Sequence, residues 1–131
     1  MSHYSQVTSE MNDIEAIKKA CRDLGLTITA GGQVGGYYGK GSTSDWVISG
    51  IGGKYEIGLV KDQASGNFRM VYDKWDGSIE GRLGVDCHRL TQSVTFHKFA
   101  ETAESMGWDV QTPQHVENEA LECHLGRWVQ D

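Results

Sequence analysis

The chain reads as an α+β domain whose mainly antiparallel sheet carries two amphipathic helices on one face. The order of elements is split β-α-β-like, with an extra hairpin. Three observations predict this. Two segments repeat apolar residues at helical spacing, and the stretch between them alternates apolar and polar residues as half-buried strands do. In addition, 17 glycines stand against a single proline, Pro113, in 131 residues. Glycine supplies the positive φ that short strand connections need, so that balance implies many turns.

A weakly alternating opening strand is expected near residues 3–7. A helix follows over residues 13–24: Ile14, Ile17, Cys21 and Leu24 share one face. Asn12 or Asp13 can accept the free amides of its first turn, Glu15 completes a capping box from Asn12, and Gly25 supplies a left-handed stop. Cys21 therefore belongs to the core. Residues 26–30 alternate as a strand, and residues 46–51, 55–60 and 68–72 look like three more. Gly52-Gly53 joins the first two of these as a hairpin turn, and residues 62–67, with Ser65-Gly66, form a longer one. A second helix is expected from Val85 or His88 to Met106, with Phe96, Phe99, Ala103 and Met106 on one stripe and Leu90 and Val94 beside it. His97 is an ordinary residue of that helix. Strands near 108–111 and 121–125 complete a single domain over residues 1–131, without internal repeat or linker.

Charge and composition exclude several classes. The formal net charge is −6, with 18 acidic and 12 basic side chains. Long nucleic acids are held by clustered Lys and Arg, so DNA and RNA are poor candidates, although a local basic pocket suits a small phosphate ligand. No apolar run reaches the length of a membrane span, and the opening residues lack the pattern of a secretion signal. Cys21, Cys87 and Cys123 are odd in number and widely spaced. They argue against a disulfide framework and for a reducing, cytoplasmic setting.

The opening Met1-Ser2-His3-Tyr4-Ser5, the helix end Asp23-Leu24-Gly25 and the segment Tyr55-Glu56-Ile57-Gly58 form a pattern, joined by Leu90-Thr91-Gln92 and Gly107-Trp108-Asp109-Val110. The pattern resembles a family of small uncharacterised proteins of bacteria, phages and hypothetical reading frames of algal plastid genomes. That family has an MSHFS-like start. The chain departs from it at Val94, where the family often has Tyr. The resemblance implies a shared compact α+β fold and carries over no catalytic residue.

No established catalytic motif is present. The segment 31–43 is glycine-rich, but a phosphate loop needs a glycine where Val34 stands and Ser or Thr where Gly41 follows Lys40. Gly53-Lys54 fails likewise at Ile48 and Tyr55. Cys87-His88 and Cys123-His124 offer four soft ligands, yet neighbouring residues of one element point apart, so no metal or other cofactor is expected. Asp73 and Asp76 bracket Lys74-Trp75 and read as a solvated turn. What remains is exposed glycine backbone beside aromatic and basic side chains.

The leading expectation is a non-enzymatic binding module for a small anionic, nucleotide-like ligand. Tyr37, Tyr38, Lys40, Trp46, Trp75 and Arg89 would form its site: aromatic rings stack on a base and Lys40 meets phosphate. In a phage, such a protein could sequester a nucleotide immune signal. The alternatives are a protein-interaction or assembly factor acting as a homo-oligomer through an exposed sheet edge, and an enzyme with dispersed catalytic residues, such as a nucleotide phosphodiesterase.

Overall fold

The computed structural model describes residues 4–8, 11–36, 39–74, 77–110, 114–115, 121–122 and 125–127. Helix α1 (Ile14–Asp23) begins where a side chain can take up its free amides. Asp13 Oδ1 accepts from the amides of Glu15 and Ala16 at 3.0 and 3.2 Å, so of the two candidate caps Asp13 does the capping. Asn12 instead accepts from Lys98 Nζ at 2.8 Å. Gly25, at φ +72°, turns the chain out of the helix, and the Leu26 amide donates back to the Cys21 carbonyl at 2.7 Å.

The expected α+β class is the observed one. Five antiparallel strands form one sheet in the order β1-β7-β6-β5-β2. They are β1 (Tyr4–Thr8), β2 (Thr27–Ala30), β5 (Trp46–Gly52), β6 (Tyr55–Lys61) and β7 (Phe68–Asp73). Register aligns Ile28, Ile48, Ile57 and Tyr72 in one row, and Thr29, Val47, Gly58 and Val71 in the next. Successive rows face opposite sides of a sheet. The first row faces the helices, where its members meet Ala16, Ile17, Ala20 and Cys21 of α1 in a continuous core.

A short helix that periodicity did not reveal, α2 (Ser78–Leu83), adds Ile79 and Leu83 to that core. Six residues span under two turns, too few to display a repeat. A 3₁₀ turn (Val85–Cys87) leads into α3 (His88–Ser105), which supplies Leu90 and Val94 to the core. His97 Nε2 lies 2.6 Å from Asp23 Oδ2 and ties α3 to the end of α1.

The expected apolar stripe on α3 needs correction. Phe96 and Ala103 are buried, but Phe99 is 44% exposed and Met106 67% exposed. Apolar residues occur around most of this helix, and tertiary packing selects the face that holds Leu90 and Val94. Asp73 corrects a second expectation: it is 1% exposed rather than part of a solvated turn, because β7 runs through it and pairs it with Tyr4.

The glycine-rich stretch forms a hairpin of β3 (Gln33–Gly36) and β4 (Gly39–Thr43). β8 (Trp108–Val110) pairs with β11 (Leu125–Arg127), and β9 (Gln114–His115) with β10 (Leu121–Glu122). No described helix is long and apolar enough to cross a membrane.

Candidate functional site

The β3–β4 hairpin covers the sheet face that the helices leave bare. Gly58, in the second row of the sheet, has no side chain, and Val34 and Ser44 occupy the space that a Cβ there would fill. Val34 is completely buried at this seat. A second close approach occurs at Gly35, where a Cβ would meet the Lys54 carbonyl and the Glu56 carboxylate. The Gly35 amide donates to Glu56 Oε1 at 2.8 Å, latching β3 to β6. The base of the hairpin is closed by backbone: Ser44 N–H donates to the Gly32 carbonyl at 2.9 Å, and Gly31 N–H to the Asp45 carbonyl at 2.7 Å. Gly31 and Gly32 take φ values of +71° and +110°, which lets the chain fold from the sheet edge onto its face.

Beside this hairpin a cleft of about 290 Å³ opens, lined by Thr29, Gly31, Gly32, Gln33, Val47, Ser49 and Glu56. Its floor is the sheet and its wall the start of β3. The chemistry is that of hydroxyls, an amide and a carboxylate over one apolar side chain, with glycine backbone at the rim. Ser44 Oγ, buried under the hairpin, has no hydrogen-bond partner among the described residues.

Of the residues selected from sequence, Tyr37, Tyr38 and Trp75 lie outside the described residues. Lys40 sits on β4 opposite Gly35, so its backbone belongs to the hairpin. Trp46 lies on the other side of the sheet, half-buried against the helix-side core, with Lys18 Nζ 5.0 Å from its ring centroid. Arg89, on α3, donates from Nη1 to the Arg82 carbonyl at 2.7 Å. The fold thus keeps the backbone of Lys40 in the hairpin, turns Trp46 of β5 toward the helix side of the sheet and carries Arg89 on α3. Sequence reading passed over Thr29, Gln33, Ser49 and Glu56. The signal for three of them was strand alternation, which sets Thr29, Ser49 and Glu56 opposite the apolar positions of β2, β5 and β6.

A second cluster of polar groups lies at the corner between α2 and α3. Glu80 Oε2 accepts from the Tyr72 hydroxyl at 3.0 Å and from the Asp86 amide at 2.8 Å, and Lys74 Nζ lies 3.3 Å away. Burial works to raise the Glu80 pKa, but the Asp86 amide, the Tyr72 hydroxyl and Lys74 overcome it and hold the carboxyl below its ordinary range. Tyr72 is shifted upward, first by burial and then by the neighbouring Cys87 and Glu80. Burial pushes the thiol of Cys87 up to about 12, and that of Cys21 likewise. Neither thiol supplies a nucleophilic thiolate at neutral pH. His88 Nδ1 rests 3.2 Å from the Val85 carbonyl. Cys123 and His124, the other half of the dipeptide pair, lie outside the described residues. Among the described residues no three His, Cys, Asp or Glu side chains gather as metal ligands would.

Arg82 completes the corner. Its Nη1 donates to the carbonyls of Gly50 and Ile51 at 2.8 and 3.1 Å, and Nη2 to that of Leu24 at 2.6 Å. One guanidinium thereby joins α2, the end of β5 and the exit from α1. Every contact in this cluster is internal, whereas the cleft beside the hairpin presents polar groups outward. Comparison with known proteins found no family model, no curated protein and no solved structure that matches the chain.

Proposed function

We propose that the chain is a non-enzymatic binding module for a small anionic ligand of nucleotide type, held between the β3–β4 hairpin and the open face of the sheet. The observation that carries this reading is the cleft beside Gly31 and Gly32, where hydroxyl, amide and carboxylate groups converge next to glycine backbone. Its volume of about 290 Å³ stands near the lower end for small-molecule sites. Thr29, Gln33, Ser49 and Glu56 suit the hydroxyls of a ribose, and Glu56 already accepts one amide, that of Gly35. In this reading Lys40 would meet phosphate and Tyr37 and Tyr38 would stack on the base. The net charge of −6 acts against long polyanions and favours a ligand with few phosphates. A protein that holds such a ligand without turning it over acts by lowering its free concentration.

Native mass spectrometry of the protein as purified, followed by calorimetric titration with adenosine, guanosine, cytidine and uridine 5′-monophosphates and with inorganic phosphate, tests the reading. One nucleotide is expected to bind better than phosphate alone. Ser49→Ala combined with Lys40→Ala is expected to weaken binding at least about tenfold, the loss of roughly one to two hydrogen bonds, one of them charge-assisted. Melting temperature should change little, since Ser49 is only half-buried. Absence of any nucleotide binding, with no releasable mass on the purified protein, overturns it.

A further inference from the structure

We propose that two copies of this chain join edge to edge through β2, so that Thr29 of each copy meets its counterpart on a two-fold axis and the two clefts adjoin across it. The inference rests on the proposed binding role of the cleft for its purpose, but not for its geometry.

The Gly31 N–H donates to the Asp45 carbonyl, and the ladder between β2 and β5 pairs Thr29 with Val47 and Thr27 with Ser49. In an antiparallel ladder the bonded pairs alternate. Thr27 and Thr29 therefore turn their amides and carbonyls inward to β5, and Ile28 and Ala30 turn theirs outward. β2 is the last strand of the sheet, so among the described residues no strand meets these four outward groups. Natural edge strands are commonly guarded by lysine, proline or a bulge. This one reads Thr-Ile-Thr-Ala, without charge, proline or register shift.

One register lets a second β2 satisfy all four groups. Ile28 faces the partner's Ala30 and Ala30 faces the partner's Ile28, as two bonded pairs, and Thr29 faces the partner's Thr29 as the non-bonded pair between them. The arrangement is its own two-fold mate, which is the requirement for a closed dimer. The strand itself sets no charge against like charge, although each chain carries −6 overall. Thr29 lines the cleft and belongs to the outermost strand, so each cleft runs out to the sheet edge. The second copy would stand beside Thr29 at this edge, and each ligand would lie beside Thr29 of both chains. The occupant is a second copy rather than a foreign peptide because the strand is matched in length, polarity and direction by itself.

Sedimentation velocity on the ligand-free protein, over a range of concentrations, reads the assembly directly. A reversible dimer is expected. Ala30→Pro removes an outward N–H without touching the bonds to β5, and Thr29→Lys sets two like charges face to face. Both variants should sediment as folded monomers, with circular dichroism confirming the fold. Thr29→Cys provides the positive test. Non-bonded antiparallel partners lie about 4.5 Å apart at Cα, within disulfide reach, so mild oxidation should link this variant as a dimer. Thr27→Cys and the parent chain should not link. A strict monomer at all concentrations overturns the proposal, as does a dimer that survives Ala30→Pro or that Thr29→Cys fails to cross-link. A dimer that binds no nucleotide would overturn the proposed function and leave this interface standing. A nucleotide-binding monomer would do the reverse.

Discussion

The α2–α3 corner and the β3–β4 hairpin solve opposite problems with different chemistry. At the corner, Asp86 and Cys87 both hold left-handed backbone, φ +55° and +56°, without being glycine. Such residues are strained, and they persist because Glu80 grips the Asp86 amide and Arg82 ties three chain segments together. Among the described residues of the hairpin and its base, no non-glycine residue holds such a conformation. Glycine occupies the positive-φ positions and the points of closest approach, and one carboxylate, Glu56, latches it to the sheet. The corner is therefore rigid and inwardly satisfied, whereas the hairpin is seated by shape and leaves polar groups turned out. Difference in hydrogen-bond direction, more than in composition, is what the proposed binding role of the hairpin rests on.

Four substitutions break or sharpen this contrast. The largest effect is expected for Glu80→Ala, which strips partners from the Tyr72 hydroxyl, the Asp86 amide and Lys74 and should destabilise by about 3 kcal/mol. Denaturant unfolding measures it, and a loss no greater than that of an ordinary surface mutation would remove the corner's special standing. Gly58→Ala should follow at about 2 kcal/mol, because its Cβ collides with Val34 and Ser44 and overpacks the seat. Here the hairpin should lift before the sheet melts, so hydrogen exchange at Val34 and Gly35 should accelerate more than at Ile57.

Glu80→Gln sharpens the electrostatic side. The Glu80 carboxyl is held below its ordinary range, so its contribution is fully present above the unfolded value, near about 4.3. That contribution fades as pH falls through the lower folded value. The difference in stability between the parent and Glu80→Gln should therefore shrink in acid below about pH 4 and stay constant above about pH 5.5. Asp62, whose carboxyl is also lowered, chiefly by the Ala64 amide and the Ser65 hydroxyl, contributes equally to both proteins and cancels. A difference that grows on acidification would contradict the network. The smallest effect is expected for Asp86→Gly: relief of the left-handed strain, offset by the greater freedom of glycine in the unfolded chain, should stabilise by about 0.5 kcal/mol. A clear loss instead would mean that the Lys74–Asp86 ion pair, 3.6 Å long and solvent-exposed, matters more than such pairs usually do.

Much of the fold is legible in the sequence alone. The α1 signal is strong because Asp13, Gly25 and the Ile14–Ile17–Cys21 repeat all agree, and local consistency of that kind seldom misleads. The hairpins at Gly53 and around Ser65-Gly66 are equally plain. The candidate site is less so. Glycine enrichment points to residues 31–44, but Trp46 opens β5 in the register row of Ala30 and Leu59, on the helix side, and only its neighbour Val47 falls in the row of Gly58 under the hairpin. Arg89 looks available in sequence, yet the Arg82 carbonyl at the end of α2 engages it. Strand alternation sets Thr29 and Ser49 on the face away from the apolar positions but does not show that they line a cleft, since a cleft is made by the approach of two elements rather than by either one.

By itself, then, the sequence determined what depends on neighbours along the chain: the class of fold, the glycine stop of α1, the turns, the alternation of strands and the charge that disfavours long polyanions. Only the tertiary structure decided which face of α3 would be buried, that Asp73 would leave solvent, and that the glycine hairpin would lie over Gly58 on the side away from the helices. Those outcomes depend on contacts between residues far apart in the chain, where small differences in packing choose among faces that local pattern leaves nearly equivalent.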